Sequence, residues 1–189
     1  MKKAFALVAL TAAIASTSAS AQNVGGLYGE VAYSEIKLTD TSSPASDNIG
    51  SYTPTAARLT LGKVIADNVA LEGFMVQGLS SDSHLVSTVT VDIKLKTSYG
   101  LAIRPFVKLN DDLEVFGRLG TVRMKGKATA TASNGNSLSE DASTTHTLYG
   151  IGAAYTLNKE WKAVVDYTKL TEKDDMKATM ISVGARYSF

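Results

Sequence analysis

Ile181-Ser-Val-Gly-Ala-Arg-Tyr-Ser-Phe189 alternates without a break. Ile181, Val183, Ala185, Tyr187 and Phe189 fall on one side. Ser182, Gly184, Arg186 and Ser188 fall on the other. Side chains of a strand repeat every second residue, so this segment has one apolar and one small or polar face. The apolar face needs either a core or lipid, and the rest of the chain decides which.

Seven further segments share this pattern, at about 26–38, 55–65, 69–79, 88–108, 113–127, 144–157 and 161–170. The fourth sorts most fully. Val89, Val91, Ile93, Leu95, Thr97, Tyr99, Leu101 and Ile103 share one face; Thr90, Asp92, Lys94, Lys96, Ser98, Gly100, Ala102 and Arg104 share the other. A helix would scatter these residues round its circumference. Tight turns are predicted at Ala66-Asp67-Asn68, Asn110-Asp111-Asp112 and Asn158-Lys159-Glu160. Longer polar connections are predicted at 39–53, 80–87, 128–143 and 171–175. An even number of strands can close antiparallel and leave no unpaired edge.

A soluble barrel of lipocalin type would turn the apolar face inward. The opposite face would then have to be a soluble surface, and its composition is wrong for one. It is rich in Gly, Ala, Ser and Thr, with isolated charges of both signs that suit a crowded lumen. The outward aromatics also cluster: Tyr155, Trp161, Tyr187 and Phe189 near one set of strand ends, Tyr33 and Tyr167 nearer the other. Two such girdles mark the interfaces of a membrane. The fold class read from this is all-β, an eight-stranded antiparallel up-and-down transmembrane barrel. Short turns would be periplasmic and longer loops extracellular, with both termini in the periplasm.

The N-terminus reads as a cleaved signal peptide over 1–21. Met1-Lys2-Lys3 is basic, 4–14 is apolar, and Ala19-Ser20-Ala21 is a cleavage site at Ala19 and Ala21. The apolar run is short of the roughly 20 residues a spanning helix needs. The barrel domain would be 22–189. Without Lys2 and Lys3, seventeen Lys and Arg face eighteen Asp and Glu, which gives no electrostatic case for nucleic acid. The chain has no cysteine, hence no disulfide or thiolate metal site.

Several stretches now carry a resemblance. They are Arg186-Tyr187-Ser188-Phe189, Leu71-Glu72-Gly73-Phe74, Leu113-Glu114-Val115-Phe116-Gly117-Arg118-Leu119-Gly120 and Tyr149-Gly150-Ile151-Gly152-Ala153-Ala154-Tyr155. Through them the chain resembles the small bacterial outer-membrane β-barrels of OmpX and OmpA type, also described as porin family proteins. The resemblance implies the outer membrane of a Gram-negative cell, with outer-membrane lipid and lipopolysaccharide as surroundings. It implies periplasmic chaperones and the barrel-assembly machinery as partners through the C-terminal strand, with Tyr187 and Phe189 as assembly signal. No cofactor is expected.

Eight strands leave a lumen just wide enough for side chains to fill. Unpaired charges are costly there. A paired network is therefore predicted from Glu30, Arg58, Glu72, Asp92, Lys94, Arg104, Glu114, Arg118, Asp166 and Arg186; the competing reading is that they line a wet cavity. Catalysis finds little support. A serine nucleophile needs a base, and only His84 and His146 are present. A lipid A deacylase-type His-x-Ser spacing fails at His146, where Leu148 stands. No phosphate loop, zinc or calcium motif appears. The function expected is a non-catalytic envelope protein, structural or adhesive through its loops, with an extracellular ligand unnamed. The alternative is a narrow porin-like channel for water, ions or small solutes.

Overall fold

The computed structural model describes residues 25–40, 53–86, 89–132, 136–171 and 176–189. The predicted signal peptide, with its cleavage site, and most of the predicted first and last loops lie outside these residues. The described residues form ten strands: β1 (Leu27–Asp40), β2 (Thr55–Ala66), β3 (Val69–Gly78), β4 (Ser81–Val86), β5 (Val89–Leu95), β6 (Ser98–Lys108), β7 (Leu113–Ala132), β8 (Ser137–Thr156), β9 (Trp161–Leu170) and β10 (Met176–Ser188). Eight of them close a ring in the order β1-β2-β3-β6-β7-β8-β9-β10, antiparallel throughout. The final strand closes it, running from Tyr28 opposite Ser188 to Asp40 opposite Met176. Closure satisfies the ladder on both sides of every barrel strand, which the hydrocarbon region demands.

The three tight turns stand at one end, called here the turn end. Asn68 takes a positive φ of 64°, a left-handed conformation that asparagine tolerates better than most side chains. The other two turns share one device. Asn110 Oδ1 accepts from the Asp112 and Leu113 amides at 3.0 and 2.7 Å, and Asn158 Oδ1 from the Glu160 and Trp161 amides at 3.0 and 2.9 Å. Each asparagine thus stands in for a backbone acceptor and fixes the reversal.

The opposite, loop end departs from the sequence reading in two places. Residues 80–87 and 128–143 do not form loops throughout: β4 and β5 make a hairpin, and β7 and β8 run on beyond the ring as a second hairpin. β5 pairs with the far half of β7, from Leu95 opposite Gly126 to Val89 opposite Ala132. The four strands form a sheet standing above the barrel. Beyond a membrane both faces of a sheet meet water, so the upper parts of β7 and β8 are polar on both sides and their alternation fades, while β5 keeps its own.

The second departure is a register break. Tyr99 faces Arg123, but Leu95 faces Gly126, so the β5–β6 side holds one extra residue around Lys96 and Thr97. A bulge of this kind swaps the faces. Leu95, placed outward with Tyr99 and Leu101 by strict alternation, is buried on the inside instead.

Through the ring itself, odd-numbered residues point out and even-numbered residues point in. Leu101 is 63 % exposed and Ala102 only 3 %. The outer surface is a continuous apolar belt that includes Val31, Leu61, Leu71, Ile103, Leu119, Ile151, Val165 and Val183. An apolar surface of that extent is foreign to a soluble monomer.

Candidate functional site

The lumen is layered. Toward the turn end lies an apolar cluster of Tyr28, Val64, Ala70, Phe106, Phe116, Ala154 and Val164. Toward the loop end lies another, including Ile36, Phe74, Val76, Leu95, Val122, Leu148, Leu170 and Met180. Buried charges join across the interior with them.

Four guanidinium groups meet four carboxylates. Arg186 Nη2 donates to Glu30 Oε2 at 2.7 Å and Arg58 Nη2 to Glu30 Oε1 at 3.0 Å. Arg58 also forks onto both oxygens of Asp166. Arg118 Nε donates to Glu72 Oε2 at 2.6 Å, and its Nη1 lies 3.2 Å from Asp166 Oδ2. Arg104 pairs with Glu114 and lies 3.5 Å from Glu72. Lys162 Nζ caps the set from the turn end, donating to Glu114 Oε2 at 3.0 Å. Each carboxylate therefore touches at least two cations, and neither sign is left in excess among the arginines.

Strand geometry explains the meeting. Glu30 and Arg186 are directly opposed across the closing β1–β10 pair. Arg58–Glu30, Arg104–Glu72 and Arg104–Glu114 also join neighbouring strands, whereas Arg58–Asp166, Arg118–Glu72 and Arg118–Asp166 join strands that do not pair and meet because long side chains cross the lumen. Glycines make room where strands crowd. A Cβ at Gly62 would fall 2.1 Å from the Tyr28 ring, and one at Gly152 2.4 Å from Phe116. Those two aromatics in turn carry the cations. Arg104 lies 3.9 Å from the Phe116 ring centroid and Arg186 4.4 Å from that of Tyr28. Stacking of this kind suits the weakly hydrated, planar guanidinium. The Tyr28 hydroxyl donates to Glu72 Oε1 at 2.7 Å.

Of the predicted network residues, Glu30, Arg58, Glu72, Arg104, Glu114, Arg118, Asp166 and Arg186 come together. Asp92 and Lys94 do not. They lie on β5 beyond the bulge, outside the ring, with Lys94 exposed and opposite Lys127. Lys162 and Tyr28 were missed as partners. Their even numbers put them on the inner face, but nothing in the sequence says which carboxylate each would reach.

Outside, the girdle residues of the turn end touch. Trp161 packs edge-on to Tyr187 at 5.0 Å, and Tyr187 to Phe189 at 5.3 Å. His146, on β8 at the loop end, donates its Nδ1 proton to the Thr171 carbonyl at 3.1 Å. The side chain of His84 lies outside the described residues. Among the described residues no group of His, Asp or Glu is arranged to hold a metal.

The profile of the family described as outer membrane protein beta-barrel domain matches residues 5–189. The chain belongs to that family. A search of curated proteins returned no match. Among solved structures the barrel is similar to Ail, the attachment invasion locus protein of Yersinia pestis, in a complex with the heparin analogue sucrose octasulfate. The two are 20 % identical with a TM-score of 0.61, over 88 % of this chain and 100 % of Ail. Neisserial surface protein A is 14 % identical, TM-score 0.59, over 86 % and 97 % of the two chains. The outer membrane protein OprG of Pseudomonas aeruginosa is 13 % identical, TM-score 0.56, over 91 % and 99 %. At these identities the likeness is one of fold.

For an outer-membrane barrel the lumen chemistry is consequential. An ion with no partner there would cost several kcal/mol, and hydrocarbon surrounds the ring on all sides. Charge balance within the lumen is the condition under which these residues can be buried at all.

Proposed function

We propose that the chain is a non-catalytic integral outer-membrane protein, a closed anchor that carries a loop-end sheet for envelope structure and surface contact. In this reading the tight turns and both termini face the periplasm, and the β4-β5-β7-β8 sheet faces outward. Outer-membrane lipid and lipopolysaccharide surround the belt. Chaperones and the assembly machinery engage the C-terminal strand through Tyr187 and Phe189 after the signal peptide is removed at Ala21. The observation that carries this reading is the packed lumen: interlocked charges together with an apolar cluster toward each end support an anchor rather than a conduit.

The channel alternative makes a different electrical prediction. In a planar bilayer the refolded barrel should give no steady single-channel steps. Reproducible openings of fixed amplitude would overturn the anchor and favour the channel.

A further inference from the structure

Five cations gather on the outward face of the sheet, where it leaves the barrel. On β7, Arg123, Lys125 and Lys127 occupy consecutive outward positions, while Val122 just before them and Met124 among them pack inward. Lys94 stands directly opposite Lys127, because the bulge turns β5 over and brings Lys94 out as it takes Leu95 in. Lys96, in the bulge, reaches across β7 to Asp141 on β8, its Nζ 2.9 Å from both carboxylate oxygens. Two carboxylates share this face. Asp141 is held below the usual carboxylate range by its hydrogen bond to Lys96. Asp92 lies two residues beyond Lys94 on β5. Lys94, Arg123 and Lys125 pair with no carboxylate among the described residues; Arg123 Nε donates to Ser143 Oγ at 3.0 Å.

The position of the cluster is as informative as its charge. Arg123 is paired with Tyr99, and Lys125 Nζ lies 5.5 Å from the Tyr99 ring centroid. Tyr99 is an outward, half-exposed residue at the upper rim of the apolar belt. The cations thus begin where the belt ends and continue along the strand for about 13 Å to Lys127, less once strand tilt is allowed for. They face sideways, in the same direction as the belt, rather than up into the medium. In a bilayer that zone is filled by polar headgroups.

We infer that Lys94, Lys96, Arg123, Lys125 and Lys127 form a lateral site for a phosphate-bearing lipid headgroup of the leaflet around the loop end. This rests on the proposed membrane orientation. Lysine ammoniums and an arginine fork are donors suited to phosphate oxygens. A lipid presents phosphate at a fixed height beside the belt, so its acyl chains lie on Leu101 and Leu119 while its headgroup meets the cations. A dissolved polyanion would have no reason to prefer a sideways patch touching the apolar rim.

The test uses the full mature chain refolded in a zwitterionic detergent, with bound lipid counted by native mass spectrometry. Diphosphorylated lipid A and its dephosphorylated form are the probes. The variant is K94Q/K125Q/K127Q; the control is K63Q/K108Q at the turn end. Loss of three cations should weaken diphosphorylated lipid A by on the order of tenfold to a hundredfold. The control should bind as the unaltered chain does, and the dephosphorylated lipid should not distinguish the proteins. Equal binding of phosphorylated lipid to the triple variant would overturn the site, as would heparin displacing the lipid at matched charge concentration. Resistance of each protein to protease in lipid vesicles is read in parallel. Proteins that insert but show no phosphate dependence overturn the headgroup site alone; a chain that does not insert overturns the membrane reading with it.

Discussion

Replacing Arg118 by Ala is expected to lower the unfolding free energy of the barrel by about 3–5 kcal/mol. Arg118 is buried and reaches three carboxylates: Glu72 at 2.6 Å, Asp166 at 3.2 Å and Glu30 at 3.5 Å. Its removal leaves four buried carboxylates to three arginines. The others are already engaged, with Arg186 on Glu30 and Arg58 on Asp166, so Glu72 bears most of the loss. Glu72 is fully buried and its other ion partners, Arg104 and Arg186, are no closer than 3.5 and 4.0 Å. The cost is the uncompensated charge rather than the value of one contact. The double variant R118A/E72Q should therefore recover part of it, because the orphaned charge is gone. Urea unfolding in lipid vesicles, followed by fluorescence of Trp161, the single tryptophan, measures both. An unchanged midpoint for Arg118→Ala would mean that water already serves these groups and the lumen is wet.

Ile103→Arg acts from the other side of the wall. Ile103 points outward on β6 between two apolar outward residues, Leu71 of β3 and Leu119 of β7. It lies between Tyr99 near the loop end and Leu109 at the turn end, so it stands near the middle of the belt. A guanidinium there cannot reach the lumen and must meet hydrocarbon or distort the bilayer to reach water. The expected cost is about 2–4 kcal/mol, read as reduced yield of folded, protease-resistant barrel in vesicles. Gly100→Arg would be a poor comparison, since a Cβ at Gly100 already falls 2.4 Å from both the Phe74 ring and the Thr121 carbonyl. Lys108→Arg, exposed at the turn end, serves as the neutral control. If Ile103→Arg inserts and unfolds as the parent does, that face does not meet lipid.

The ring was legible because one rule held across it. Lipid outside and a filled lumen inside impose the same period on every strand, so parity alone assigned Leu101 outward and Arg104 inward. The turns were legible because Asn68, Asn110 and Asn158 each supply a local geometric need. What escaped has a physical cause in each instance. The upper parts of β7 and β8 carry Ala, Thr, Ser and Gly with charges on both faces, since water is on both faces, and so read as loop. The bulge at Lys96 and Thr97 leaves no mark in the pattern, because Val89 to Ile103 alternates straight through it. That one extra residue moved Leu95 into the lumen and Asp92 and Lys94 out of the charge network. Which arginine would find which carboxylate was set by barrel tilt and closure, which no single segment encodes.

The absence of cysteine permits a direct measurement of the central claim. Single cysteines placed in turn at residues 99–107 of β6, each spin-labelled in the refolded protein in lipid vesicles, report collision with oxygen, which concentrates in hydrocarbon, and with a water-soluble nickel chelate. Labels at 101, 103 and 107 should collide freely with oxygen and little with the chelate. Labels at 100, 102, 104 and 106 should be immobilised and shielded from both wherever the barrel still folds. Odd positions shielded from oxygen, or open to the nickel chelate across the middle of the strand, would contradict a lipid-facing belt around a filled lumen.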